Sequence, residues 1–220
     1  YMGSADNQGV LQCIREIITN SIDEATMGFG DKITVDLFSG NRVRIGDFAR
    51  GVPFGKRADG TEALEAVYMS AHSGGKFSDK TYQNVAGLNG IGAKGTALSS
   101  AFFQAWSYRD GQCATLKLLD GEKKLFKIEP IAPGEREHGT IVEFIPSQEV
   151  YNLEPIEINF EEIKKMCRDW SYLSRGISFI LHNHVTNEKI TYLSRNGLVD
   201  LMKDNAGRAL HKTPLHITVK

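Results

Sequence analysis

Glu16, Asn20 and Asp23 recur at three- and four-residue steps within Ile14–Ala25. On a helix such residues share a face, and Glu16 and Asn20 stand one turn apart. A carboxylate beside a carboxamide is a fixed pair of oxygen ligands. Magnesium takes oxygen ligands in octahedral geometry and leaves the remaining positions to phosphates and water. The solvated face of an ordinary amphipathic helix would carry the same residues, so the pair needs support from elsewhere. Asp47 continues the row Val43, Ile45 on one side of an alternating segment. A buried carboxylate without donors is costly. Asp47 therefore meets either a salt bridge at a strand end or a ligand amine at the floor of a pocket. Two glycine-rich stretches follow, Gly74-Gly75-Lys76-Phe77 and Ala86-Gly87-Leu88-Asn89-Gly90-Ile91-Gly92-Ala93-Lys94-Gly95. Glycines let backbone approach a ligand and turn its amides inward. The second stretch feeds a segment of helical composition, and helix N-termini bind anions. Lys76 and Lys94 would add charge for phosphate. A flexible surface loop would also be glycine-rich. The spacing is not that of a P-loop, and no Rossmann strand leads into it. Thr140 shares a strand face with Val142 and Phe144, which turns its hydroxyl inward, as in a core threonine or a site residue. His182 and His184 have strand spacing, but the sequence shows no third ligand, so no metal site is expected there.

These residues need elements to hold them. Leu11, Ile14, Ile18, Ile22 and Ala25 form an apolar stripe, which predicts a helix from about Gln8 to Thr26, stopped by Gly28 and Gly30. Lys32–Phe38 and Arg42–Phe48 alternate as strands around the turn Ser39-Gly40-Asn41. Thr61 is a plausible N-cap for a helix through about His72 that buries Leu64, Val67, Tyr68 and Ala71. Ala93 to about Gln104 reads as helix. Asp110-Gly111 and Asp120-Gly121 mark hairpins between Phe103–Arg109, Gln112–Leu119 and Lys123–Pro130. Gly139–Ile145 is a further strand. Asn159 and Glu162 form a capping box for a helix to about Arg175, with Ile163, Met166, Cys167, Trp170 and Leu173 as its core stripe. Ile177–His182 reads as a strand, Asn196–Asn205 as a short helix and Pro214–Val219 as a final strand. No repeat or linker divides the chain. The expected fold is α+β: one domain spanning residues 1–220, a two-layer sandwich of a mixed, largely antiparallel sheet with helices on one face.

Composition narrows the function classes. The formal net charge is −1, without a long basic run, which argues against this segment being the main grip on nucleic acid. Cys13, Cys113 and Cys167 are far apart and odd in number, which fits buried thiols in a reducing, cytoplasmic setting. No apolar run approaches membrane-spanning length and no signal peptide opens the chain. The start at Tyr1-Met2-Gly3-Ser4 suggests a fragment or a processed terminus.

The order of these features resembles the ATP-binding domain shared by gyrase B subunits, heat-shock chaperones, histidine kinases and MutL proteins. Asn20-Ser21-Ile22-Asp23-Glu24-Ala25, Arg50-Gly51-Val52-Pro53, His72-Ser73-Gly74-Gly75-Lys76-Phe77 and Gly139-Thr140 before Phe144-Ile145-Pro146-Ser147 are similar to type II topoisomerase B subunits. Tyr1-Met2-Gly3-Ser4 resembles their early Tyr-Ile-Gly-Ser. The first of these segments and Gly-Gly-Lys-Phe speak against a chaperone or MutL-type ATPase, and an intact Glu16 against a non-catalytic nucleotide sensor. The resemblance implies a Bergerat-type fold, truncated at both ends relative to the full protein, that uses ATP and Mg²⁺. It implies Glu16 as general base, Asn20 as metal ligand, and Asp47 as acceptor from the adenine amine, with Gly51 and Thr140 assisting through water. It implies Glu24, Arg50, Val52 and Pro53 as the wall beside the adenine. Lys76, Gly87, Leu88, Asn89, Gly90, Ile91, Gly92 and Lys94 would cover the phosphates. A second B subunit, an A subunit and ATP-site inhibitors are the implied partners, with DNA met through the whole enzyme. Two departures stand out. The family often reads Asp-Asn-Gly-Arg-Gly where this chain has Asp47-Phe48-Ala49-Arg50-Gly51, and gyrase commonly has His at the place of Asn89.

Overall fold

A computed structural model describes residues 6–69, 92–153 and 155–205. Helix α1, Asn7–Thr26, begins at Asp6, whose carboxylate accepts from the N–H groups of Gln8 and Gly9 at 2.9 and 3.1 Å. That cap satisfies two of the donors a helix start leaves free. Val10, Leu11, Cys13, Ile14, Ile17, Ile18 and Ser21 are its buried side, with Ile22 and Ala25 packed at the margin. This face lies on strands β1 (Lys32–Phe38) and β2 (Arg42–Asp47) and on helix α3 (Gly92–Leu98), which also meets α2 (Ala63–Met69).

The sheet contains β3 (Ser100–Arg109), β4 (Gln112–Leu119), β5 (Glu122–Pro130), β6 (Gly139–Pro146), β7 (Ser178–Asn183) and β8 (Glu188–Tyr192) besides the first two. Its order is β5-β4-β3-β6-β2-β1-β7-β8, and all pairs are antiparallel except β1 with β7. Ile33, Val35 and Leu37 of β1, Val43 and Ile45 of β2, and Phe179 and Leu181 of β7 turn to the helix-covered face and are buried. Helix α5, Phe160–Leu173, covers β7 and β8. The α+β sandwich with helices on one face is as the sequence predicts.

Several elements differ from the sequence reading. The helix expected to reach Gln104 stops at Leu98, and β3 starts at Ser100. Phe103 and Ala105 are buried in a strand paired on both sides, by β4 and β6, and this pairing overrides the alanine-rich local preference. Leu173, placed in the core stripe, is 67% exposed, whereas Ser171 and Tyr172 of the same last turn are buried. Asn159 caps α5 by accepting from the Glu161 N–H at 2.9 Å. Helix α4 (Gln148–Tyr151), helix α6 (Leu198–Asn205) and β8 complete the described elements; α4 and β8 were not expected. The far end of the helix expected to reach His72 and the strand expected at Pro214–Val219 lie outside the described residues.

Candidate functional site

Asp47 ends β2 on the buried face, 8% exposed. Its Oδ1 accepts from the backbone N–H groups of Ala49 and Thr140, both at 3.0 Å. Its Oδ2 accepts from the Ser21 hydroxyl at 3.0 Å, which ties β2 to α1. A carboxylate offers about four acceptor positions. Among the described residues three are filled, which leaves one for a further donor. Burial pushes this carboxyl above the usual 3.8, and the N–H groups of Ala49 and Thr140, the Ser21 hydroxyl and the Arg136 charge offset this incompletely. Arg136 donates to the Asp47 carbonyl oxygen and, at 3.5 Å, to that of Thr140, and its guanidinium lies 4.0 Å from the Phe48 ring. Gly139 makes the Asp47–Thr140 approach possible: its φ is +114°, and a Cβ there would come within 2.2 Å of the Asp47 carbonyl. Tyr68 of α2, 3% exposed, has its phenol pushed up by burial and by the charge of Asp47.

After Asp47 the chain turns beneath β3. Gly51 has φ +76°, and a Cβ on it would stand 2.4 Å from the Tyr108 carbonyl. The Ser107 hydroxyl donates to the Val52 carbonyl at 2.6 Å, which sets the direction in which Val52-Pro53 leaves. Arg50 reaches back to α1 with a two-pronged pair to Glu24, both bonds 2.9 Å, and its guanidinium stacks 3.9 Å from the Phe29 ring. A bidentate pair of this kind fixes orientation as well as charge.

Farther toward the start of α1, Glu16 accepts from the Gln12 amide at 2.5 Å. The carboxylate rests on the first residue of α3: a Cβ at Gly92 would lie 1.9 Å from Glu16 Oε2. Gly92 thus forms the seat of Glu16, a more specific place than the phosphate cover expected for it. Asn20 is exposed one turn on, and its carboxamide makes no hydrogen bond to any described residue. Its donor set therefore fits Mg²⁺, which needs few protein oxygens when phosphates supply the rest. Lys94 lies in α3, 4% exposed, with its pKa lowered by burial and then by the nearby Arg57 charge.

Helix α1 thus carries Glu16, Asn20, Ser21 and Glu24, its hydrogen bonds and close contacts join β2, the following turn and α3 to one locality, and Asp47 ties in β6. Lys76, Gly87, Leu88, Asn89, Gly90 and Ile91 lie outside the described residues. Sequence reasoning passed over Gln12, Ser21, Arg136 and His138, whose Nδ1 bonds the Ala49 carbonyl at 2.9 Å. Two of these had a signal. Gln12 is four residues before Glu16, and Ser21 is a polar residue on the apolar stripe.

No protein-family model matches the chain. It is 30% identical to the DNA topoisomerase 4 B subunit of Mycoplasma capricolum over 204 residues, 93% of this chain and 31% of that protein. It is 29% identical to the DNA gyrase B subunit of Archaeoglobus fulgidus over 220 residues, 99% of this chain and 34% of that one. With the DNA gyrase B subunit of Haloferax volcanii the identity is 31% over 217 residues, 96% and 34% of the two chains. The chain therefore spans about a third of the length of these curated relatives. Among solved structures, the 43K ATPase domain of Thermus thermophilus gyrase B, in complex with an aminocoumarin, superimposes with a TM-score of 0.84 over 98% of this chain and 55% of that one. The identity there is 24%, so that likeness speaks for the fold. The chain is a homologue, along nearly its whole length, of the B subunits of type II DNA topoisomerases, and it has the fold of a gyrase B ATPase domain.

Proposed function

We propose that residues 1–220 are the ATP-binding and hydrolysing domain of a type II topoisomerase B subunit, which drives ATP-dependent DNA strand passage in the cytoplasm. The observation that carries this reading is the Asp47 carboxylate, buried with three internal donors and one acceptor position left, on the strand beside the helix that bears Glu16 and Asn20. The free position takes the adenine amine. Gly51 and Thr140 line the same floor, and Glu24, Arg50, Val52 and Pro53 form the outer wall. Glu16, held by Gln12, orients the attacking water and receives its proton. Asn20 would hold Mg²⁺, which when bound neutralises charge on the phosphates. Lys94, with Lys76 and the Gly87–Gly92 stretch, contributes to phosphate contacts. Phosphoryl transfer depends mainly on positioning and charge stabilisation, and these residues offer both.

In the intact enzyme the domain would pair with a second B subunit and work with an A subunit, meeting DNA through the assembly. ATP-site inhibitors of the aminocoumarin class would enter at Arg50 and Pro53. None of the described helices is long and apolar enough to cross a membrane. The decisive experiment uses the intact B subunit. Glu16→Ala should bind ATP as the unaltered protein does while losing about 10²–10⁴-fold in phosphate release, the contribution of a positioned base. Undiminished turnover removes Glu16 from that role, and absence of ATP binding by the unaltered protein sinks the reading.

A further inference from the structure

On the face of the sheet turned away from the helices, Asp36, His182 and His184 bring one ligand atom each within 4.8 Å of one another. The sequence shows the two histidines but hides the third group, which arrives by strand register. In the parallel pair β1–β7, Asp36 stands opposite His182. The pairing runs on to His184, whose N–H donates to the Leu37 carbonyl at 2.8 Å. We propose that Asp36, His182 and His184 form a binding site for a divalent transition-metal cation of the zinc type, separate from the nucleotide pocket.

The donor geometry suits such an ion. His184 Nε2 lies 2.7 Å from Asp36 Oδ1, and His182 Nδ1 lies 3.9 Å from the same oxygen. Bonds of about 2.0–2.1 Å at tetrahedral angles put donor atoms about 3.3 Å apart, between those two values. The 2.7 Å contact is at present a hydrogen bond between His184 and Asp36, and an ion would take the place of its proton. The outer groups are in place as well. His182 Nε2–H donates to Asn187 Oδ1 at 3.3 Å, which makes Nδ1, 3.9 Å from Asp36 Oδ1, the unprotonated nitrogen. Ligating histidines commonly spend their second nitrogen this way. His184 is held by stacking on Phe38, ring centroids 4.1 Å apart at 14°. The two imidazole centroids are 3.6 Å apart at 39°, a ring-on-ring contact that has to open when both nitrogens turn to one ion. Arg42 and Arg44, 4.6 and 5.3 Å from the Phe38 ring, both pair with Glu143, which removes that carboxylate as a competing ligand. Their charge opposes a cation and weakens the site relative to an all-thiolate one. Three protein ligands leave one position open to water or to a group from another molecule.

Zinc chloride titrated by calorimetry into the nucleotide-free chain should show one equivalent bound, with a rise in melting temperature. Cobalt should give the intense visible bands of a four- or five-coordinate ion. Asp36→Asn and His182→Ala, each checked for folding by circular dichroism and for unchanged ATP binding, should lose the zinc equivalent and the cobalt bands. Cys113→Ser should keep both. The proposal is overturned if the unaltered chain binds no zinc. It is equally overturned if zinc uptake survives in Asp36→Asn and His182→Ala, which would place the ion on other histidines or thiols.

Discussion

The substitution Asp47→Asn separates the role proposed for this carboxylate toward ATP from its role in the fold. The amide is nearly the same shape. Its oxygen can still accept from the N–H groups of Ala49 and Thr140, and its NH₂ can donate to Ser21, whose hydroxyl then accepts. The internal bonds survive, but the position facing the ligand changes from acceptor to donor. The adenine amine then meets another donor and the charge-assisted hydrogen bond is gone. Such a bond contributes about 1.5–3 kcal/mol. At about 1.4 kcal/mol per decade, the dissociation constant should rise roughly tenfold to a hundredfold. Stability should move the other way. Burial raises the folded-state pKa of Asp47. A group raised on folding contributes stability below its unfolded value, about 3.9, and loses it as pH rises through the folded value. At neutral pH burial of this carboxyl is therefore a net burden that the amide lacks. Asp47→Asn should melt higher than the unaltered chain at pH 7, and the gap should close as pH falls toward about 4. Calorimetric titration with a non-hydrolysable ATP analogue and melting curves at several pH values measure both arms. Unchanged nucleotide affinity in a folded variant would refute the adenine assignment. A lower melting point at pH 7 would refute the account of the buried charge.

Two further substitutions and one ligand probe the rest of the site. Gly92→Ala places a methyl group where Glu16 Oε2 now sits, so the carboxylate must swing away. A displacement of about 1 Å can cost on the order of 10²-fold in turnover. In the intact B subunit, ATP hydrolysis should fall by far more than ATP affinity does, and retained hydrolysis would show that Glu16 does not need this seat. An aminocoumarin should compete with ATP for the Asp47 pocket. Arg50→Ala, which empties the Glu24 pair at the mouth, should weaken the inhibitor more than the nucleotide. Simultaneous binding of both ligands, measured by titration, would contradict the shared pocket.

The parts of this molecule that repeat along the chain were legible, and the parts made by tertiary approach were not. The period of Leu11, Ile14 and Ile18 predicts α1, and the alternation Val43, Ile45, Asp47 predicts which way Asp47 points, because both patterns are set by local geometry. Asp47's donors are another matter. Ser21 comes 26 residues earlier and the Thr140 N–H 93 residues later, and only the packing of α1 and β6 against β2 brings them together. The end of α3 was misread for the same reason. Ala101, Phe102 and Phe103 suit either a helix or a strand, and pairing with β4 and β6 decides between them. Leu173 fits the apolar period of α5, yet it is exposed while its neighbours Ser171 and Tyr172 are buried, and a periodic pattern carries no information about which side of a helix end its tertiary neighbours cover.

The alanine at position 49 shows how a departure from a family pattern can be judged by backbone geometry. A glycine in a turn is required when φ is positive or when another chain segment passes too close for a Cβ. Gly51 meets both conditions, with φ +76° and the Tyr108 carbonyl against it. Ala49 meets neither. It is not among the non-glycine residues with positive φ, and its methyl group is buried, 4% exposed. What the turn asks of position 49 is backbone. Its N–H donates to Asp47 Oδ1, and its carbonyl accepts from the His138 ring. A side chain that leaves both groups where they are leaves the Asp47 donor set intact. The substitution adds buried apolar area beside Asp47, while Gly51, where the family glycine is retained, is the position whose backbone could not accept an alanine without moving β3.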